Sequence, residues 1–154
     1  MKAVRIIRRE GLKNRMHSPD RFISQMNRLS IQMGHTRRQK DGKRKRKKTF
    51  RAIKKLVTKV ARHALVHSEL LKIRWQETNL SEGEVRQILL RIDSVLKQLP
   101  QAVSQAHERI IGGRQVKNSD KILSLYERDI HVIVRGKANA ETEFGNTLLL
   151  GEQR

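Results

Sequence analysis

Three groups of side chains in this sequence have the types and spacing to do chemistry. The first is a run of cations. Between Arg37 and Lys55 stand twelve Lys and Arg against one acid, Asp41: Arg37, Arg38, Lys40, Lys43, Arg44, Lys45, Arg46, Lys47, Lys48, Arg51, Lys54 and Lys55. Ammonium and guanidinium groups at this density bind polyanions. Neutralising each phosphate releases counterions, so affinity falls with salt at a log–log slope of about −0.9 per phosphate. Five aromatics, Phe22, Phe50, Trp75, Tyr126 and Phe144, are too few for a base-stacking platform. The expected contact is therefore to the nucleic-acid backbone, with little readout of sequence. The competing reading is a solvated, mobile charge run.

The second group is His63 and His67, one helical turn apart, with Glu69 close by. Two imidazoles at that spacing can share a metal ion. HALVHSE lacks the Glu that follows the first His of a zincin, so no base is placed for hydrolysis. The pair reads instead as polar-face histidines beside solvent or nucleic acid. The third group is acidic. Asp129 enters a strand-like run, Ile130–Val134, and Glu141 and Glu143 enter the next. Two-metal phosphoryl chemistry needs acids converging from separate elements, and no third converging acid is identifiable. The chain has no GxxxxGK[ST] loop, no G-x-S-x-G elbow and no cysteine nucleophile. No catalytic, cofactor-binding or metal-binding residue is assigned.

Charge is distributed to match the first group. Residues 1–74 hold 24 Lys/Arg and 4 Asp/Glu, which is the whole formal charge of +20; residues 75–154 hold 11 of each sign. Such a one-sided field attracts nucleic acid before any other partner. Without cysteine there is no disulfide framework or thiolate metal site. No apolar run is long enough to span a bilayer, and no leader pattern opens the chain. The expectation is a cytoplasmic protein, nucleoid-associated when bound to DNA, with no membrane partner.

The elements that must carry these groups are mostly helices. MKAVRIIRREGL fits a short helix stopped at Gly11, or a strand. Ser18-Pro19-Asp20 is an N-terminal cap signal, and Phe22, Met26, Leu29 and Met33 then make one stripe, with Gly34 as a stop. Asp41-Gly42 signals a turn. Phe50, Ile53, Val57, Val60, Ala64 and Leu71, widened by Leu56 and Leu65, mark a long helix antiparallel to the previous one. The basic run would form the hairpin tip, about residues 37–48, partly continued into the start of the second helix. Ser81-Glu82-Gly83-Glu84 is a capping box. It opens a helix with Val85, Ile88, Leu89, Ile92, Val95, Leu96 and Leu99 buried, which Pro100 ends or kinks. A further helical stretch carries Val103, Ala106, Ile110 and Ile111, and Gly112-Gly113 stops it. Alternation at Ile130, Val132 and Val134, a turn-like Gly136-Lys137-Ala138-Asn139, and a run from Phe144 to Leu150 predict a β-hairpin. The class is mainly α (α+β): a long antiparallel helical hairpin or bundle over 1–113, then a short β-containing segment over 114–154.

The C-terminal text from Lys121 to Gly145 resembles a block of bacterial insertion-sequence transposases of the DDE type, most specifically at Arg135-Gly136-Lys137-Ala138 and Glu143-Phe144-Gly145. The upstream FISQMNRLSIQMGHTRRQKDGKRKRKKTF is similar to that family's basic helical region. The resemblance implies an incomplete piece of a ribonuclease H-like domain, and DNA as a nonspecific, phosphate-driven partner. It also implies Mg²⁺ for a full-length family member only. The family's two aspartates and its glutamate match no position here, and its N-terminal DNA-binding domain has no counterpart. The chain is therefore expected to be a central transposase fragment that binds DNA without cutting it. A structural nucleic-acid-binding protein of ribosomal or nucleoid type is the alternative on charge and length alone.

Overall fold

A computed structural model gives the structure, which describes residues 1–36, 39–117, 121–122, 125, 131–137 and 140–145. From Met1 to Lys117 all described regular structure is helical. The chain divides into two compact units, Met1–Lys97 and Gln98–Arg154. This boundary follows the packing: the apolar cluster of the first unit reaches Leu96.

The first unit opens with α1 (Lys2–Arg9), the helical alternative for this segment. Gly11, at φ +90°, supplies the left-handed residue that lets the chain turn away. Helix α2 (Pro19–His35) starts as the sequence predicts. The Ser18 hydroxyl accepts from the Asp20 amide at 3.3 Å, and Pro19, with no N–H to lose, takes the first position. Gly34 does not stop it. The last turn closes at Thr36, whose hydroxyl donates to the Met33 carbonyl at 2.7 Å.

Helix α3 (Gly42–Arg74) is 33 residues long, about 50 Å at 1.5 Å per residue. The helical conformation begins at Gly42, so the continuation of the basic run into this helix takes in Lys43 to Lys48 as its first turns, and Gln39 to Asp41 are left in the turn. Phe22 near the start of α2 meets His63 of α3, at 5.5 Å between ring centroids. Thr36 at the end of α2 meets Gly42 at the start of α3. The two helices therefore run antiparallel.

Two apolar clusters hold this unit, and α3 belongs to both. Phe22, Leu29 and Leu56 form one, with Met26, Ile53 and Val60 packed around them. Ile7, Leu12 and Leu71 join Val85, Ile88 and Ile92 of α4 (Glu82–His107) in the other. Leu65 does not widen the buried stripe and stays exposed. α4 begins with its capping box made. The Glu84 carboxylate accepts from the Ser81 amide and hydroxyl, both at 2.8 Å, and the Glu84 amide donates back to the Ser81 hydroxyl at 3.4 Å.

In the second unit α4 runs through Pro100 to His107, so the proline does not end it. A single π-helical turn, Glu108–Gly112, follows, and Gly113 at φ +71° closes it with the Arg114 amide donating to the Glu108 carbonyl at 3.1 Å. The Gln105 side chain brackets the Ile122 peptide: its amide donates to the carbonyl at 3.1 Å, and its oxygen accepts from the N–H at 2.8 Å.

The two glycines flanking the α2–α3 turn should respond oppositely to an added methyl. A Cβ at Gly42 would overlap the Thr36 carbonyl oxygen, whereas one at Gly34 would meet nothing within 4 Å. Gly42→Ala is expected to lower stability by about 1–3 kcal/mol, the cost of forced backbone movement. Gly34→Ala is expected to raise it by up to about 1 kcal/mol, the helix-propensity difference. Urea unfolding followed by circular dichroism checks both signs.

Candidate nucleic-acid interface

A helix turns about 100° per residue, so a sequence run of cations spreads around it, and only those three or four apart share a face. On α3, Arg44, Lys48, Arg51, Lys55, Lys59 and Arg62 recur at steps of four, three, four, four and three. All six are exposed. They form one stripe, about 27 Å from first to last by helix rise, and at Lys55 and Lys59 it borders the buried Leu56. The sequence has no Asp or Glu between Asp41 and Glu69. Among the described residues, the ion pairs fall elsewhere: Arg5 with Asp20, and Glu69 with Lys72, Arg74 with Glu77, Glu82 with Arg86, Asp93 with Lys97 and Glu108 with Arg114.

Of the cations singled out by sequence, Lys40 is exposed in the turn, and Lys43, Arg44, Lys45, Lys48, Arg51, Lys54 and Lys55 are exposed on α3. Arg46 and Lys47 are half-buried. Lys45 donates to the Gln39 side chain at 2.9 Å and so braces the turn. Arg37 and Arg38 lie outside the described residues, as do Ala138, Asn139, Tyr126 and Asp129. The count of charge per residue missed Lys59 and Arg62. Spacing would have found them, since both continue the step of Lys48, Arg51 and Lys55.

The electrostatics of this helix end are unfavourable in the unliganded protein. Six cations sit at residues 43–48, where the helix dipole is positive. No acid occupies the first turn, and the Asp41 side chain makes no capping hydrogen bond. Each misplaced surface charge costs about 0.3–1 kcal/mol, and each like-charge neighbour one turn away about 0.2–0.5 kcal/mol. A polyanion laid along the stripe relieves both.

The two histidines do not serve as a polar face. His67 is fully buried, and His63 is half-buried against Phe22. The His67 Nδ1–H donates to the His63 carbonyl at 2.7 Å, which leaves Nε2 as an acceptor 3.5 Å from Arg8 Nη1. The same Arg8 atom donates to the Asn14 carbonyl at 2.8 Å. His67 therefore ties α3 to α1 and to the loop after it. The sequence pattern placed it with the polar residues because a histidine one turn from another reads as a pair. In the fold, its position continues the buried line toward Leu71. Among the described residues, no three His, Asp or Glu side chains converge as metal ligands. No described helix is long and apolar enough to cross a membrane.

Comparison with family models, with curated proteins and with solved structures returns no match.

Burial holds the His67 imidazole below its ordinary range; the hydrogen bond to the His63 carbonyl opposes this, and the nearby Arg8 guanidinium adds to it. Burial also lowers His63, helped by the charges of His67, Lys59, Arg62 and His17. The fold thus resists protonation of both imidazoles, while the unfolded chain takes up protons near pH 6.5. Stability contributed by them is complete above about pH 6.5 and is lost as pH falls below it toward their folded-state values. Thermal midpoints measured between pH 7.5 and 5 should fall on the acid side. His67→Gln should flatten that fall, while lowering the midpoint at pH 7.5.

Proposed function

We propose that this chain is a transposase-like DNA-binding protein that docks the cationic face of α3 on the DNA backbone, in DNA transposition or recombination, and does not cleave DNA alone. The observation that carries the binding is the stripe Arg44–Lys48–Arg51–Lys55–Lys59–Arg62, exposed on one helix face. Duplex DNA carries one negative charge per about 1.7 Å of axis, so a row of cations one helical turn apart meets phosphates wherever it lies along it. Backbone contact of this kind fixes position and leaves sequence unread.

The link to transposition rests on the resemblance at Arg135-Gly136-Lys137-Ala138 and Glu143-Phe144-Gly145. That reading includes a C-terminal β-hairpin as a piece of a ribonuclease H-like domain. In that text two backbone segments, His131–Lys137 and Ala140–Gly145, pair antiparallel. His131 stands opposite Gly145, Val132 opposite Phe144, Ile133 opposite Glu143 and Val134 opposite Thr142; an irregularity follows before Lys137 meets Ala140. Arg135 and Gly136 fall at that irregularity, and the Glu-Phe-Gly text pairs with the start of the first strand. No metal-dependent step is part of this reading.

Fluorescence anisotropy with a labelled duplex, titrated across salt concentrations, tests the reading. Six engaged cations at about −0.9 each predict a log–log slope near −5. Arg44→Gln/Lys48→Gln/Arg51→Gln should make it shallower by about 2.7. Arg86→Gln/Arg91→Gln/Lys97→Gln on α4, an equal loss of charge, should change it little. Absence of binding in dilute salt, or nicking of the duplex by the purified chain in Mg²⁺, would overturn the proposal.

A further inference from the structure

The open furrow between α2 and α3 holds a cavity of about 340 Å³. Arg21 and Gln25 of α2 line one side and Lys55 and Lys59 of α3 the other, over a floor that includes Phe22 and Leu56. No Asp or Glu lines it. Phe22 and Leu56 are themselves buried, so the floor gives no face for a base to stack on. It acts as an apolar wall that keeps water from one side, and charges at its rim interact across a lower effective dielectric than in bulk. Lys59 is held at the mouth, its ammonium 5.7 Å from the centre of the Phe22 ring, within cation–π reach. On α2, Arg28 and Gln32 continue the line of Arg21 and Gln25 at helical spacing, and both are exposed. The antiparallel pairing sets that line alongside the α3 stripe.

Resting on the DNA-binding reading above, we infer that this furrow seats a single sugar–phosphate backbone lengthwise, with its phosphates gripped from both helices by Arg21, Lys55 and Lys59. Charge complementarity selects the occupant: the lining offers the cations Arg21, Lys55 and Lys59, the Gln25 amide and the His17 imidazole, with no acid among them, and the floor offers nothing for base edges. Helices packed about 8–10 Å apart leave room for one backbone between their rims and exclude a whole duplex. Bound DNA is then aligned with the α3 axis and does not lie across it. The seat also explains why cations on α3 continue to Lys59, well past the dense run.

Two measurements on the full chain test this. In the salt titration, Arg21→Gln/Lys55→Gln/Lys59→Gln should lower the slope by about 2.7, and Lys43→Gln/Lys47→Gln/Lys54→Gln, which lie outside the furrow, by less than about 1. In the unsubstituted protein, bound duplex should protect Lys55 and Lys59 from acetylation several-fold more than Lys54, read by mass spectrometry; this needs no variant to fold. Equal slopes for the two triple variants with equal protection of the three lysines would overturn the furrow and leave DNA binding as a diffuse charge effect. No binding by the unsubstituted protein in dilute salt would remove the functional reading beneath it as well.

Discussion

Helix α3 begins with six cations at the positive end of its own dipole, and the rest of the first unit is arranged around holding that helix in place. Nothing local favours such a start: residues 43–48 repel one another and the free amides, and no capping side chain offsets them. Summed over the run, these terms reach a few kcal/mol. Burial decides the balance. Phe22, Leu29 and Leu56 are each nearly removed from water, and each such side chain contributes about 1.5–3 kcal/mol. The hairpin with α2 thus stabilises what propensity and charge would fray. The tight turn belongs to the same arrangement, because Gly42 must lie against the Thr36 carbonyl for the helices to come together so soon.

The far half of α3 is anchored differently. Leu71 sits in the cluster shared with α1 and α4, and His67 is one turn before it. A buried imidazole is costly unless both nitrogens are used. Here one donates to the His63 carbonyl, and the other faces Arg8, whose guanidinium also holds the Asn14 carbonyl. The ion pair of Arg5 with Asp20 adds a link from α1 to the start of α2, and the Glu10 carboxylate takes the Asn79 amide at 3.2 Å, tying the end of α1 to the loop before α4. The short first helix is therefore a clasp. It reaches α2, α3 and the loop before α4 through side chains that a hydrophobic pattern does not register.

Local signals in the sequence were legible wherever a backbone group needs one particular partner. Ser18 with Pro19, and Ser81 with Glu84, marked helix starts that the structure makes with the expected hydrogen bonds. Gly11 and Gly113 marked turns that adopt positive φ. Signals that depend on tertiary context were not legible. Gly34 reads as a stop, yet Thr36 provides the closing hydrogen bond two residues later. Pro100 reads as an end or a kink, and of these the end is excluded because α4 continues to His107. How far the basic run continues into the second helix was not legible, because lysine and arginine are soluble anywhere; the helix takes in the run from Lys43, and Thr49 and Phe50 just beyond it are buried. At the interface, composition found the dense cations but not the face they share with Lys59 and Arg62.

That face limits what the protein can distinguish. A stripe of exposed side chains on one helix senses the potential of a phosphate row, which is nearly the same for every sequence. Reading bases would require side chains that enter a groove with fixed geometry, or aromatic rings open for stacking. Phe22, the ring nearest the stripe, is buried under Lys59 and beside His17 and His63, and Phe50 is buried in its turn. The aromatic groups near the cations have been spent on holding the helices together. If the proposed DNA binding holds, any selection of a site has to come from other surfaces, or from the ease with which a given sequence bends along the helix axis. Affinity and specificity would then be physically separable, because the side chains proposed to supply the first are long, exposed and charged, and the aromatic rings near them that could supply the second are buried.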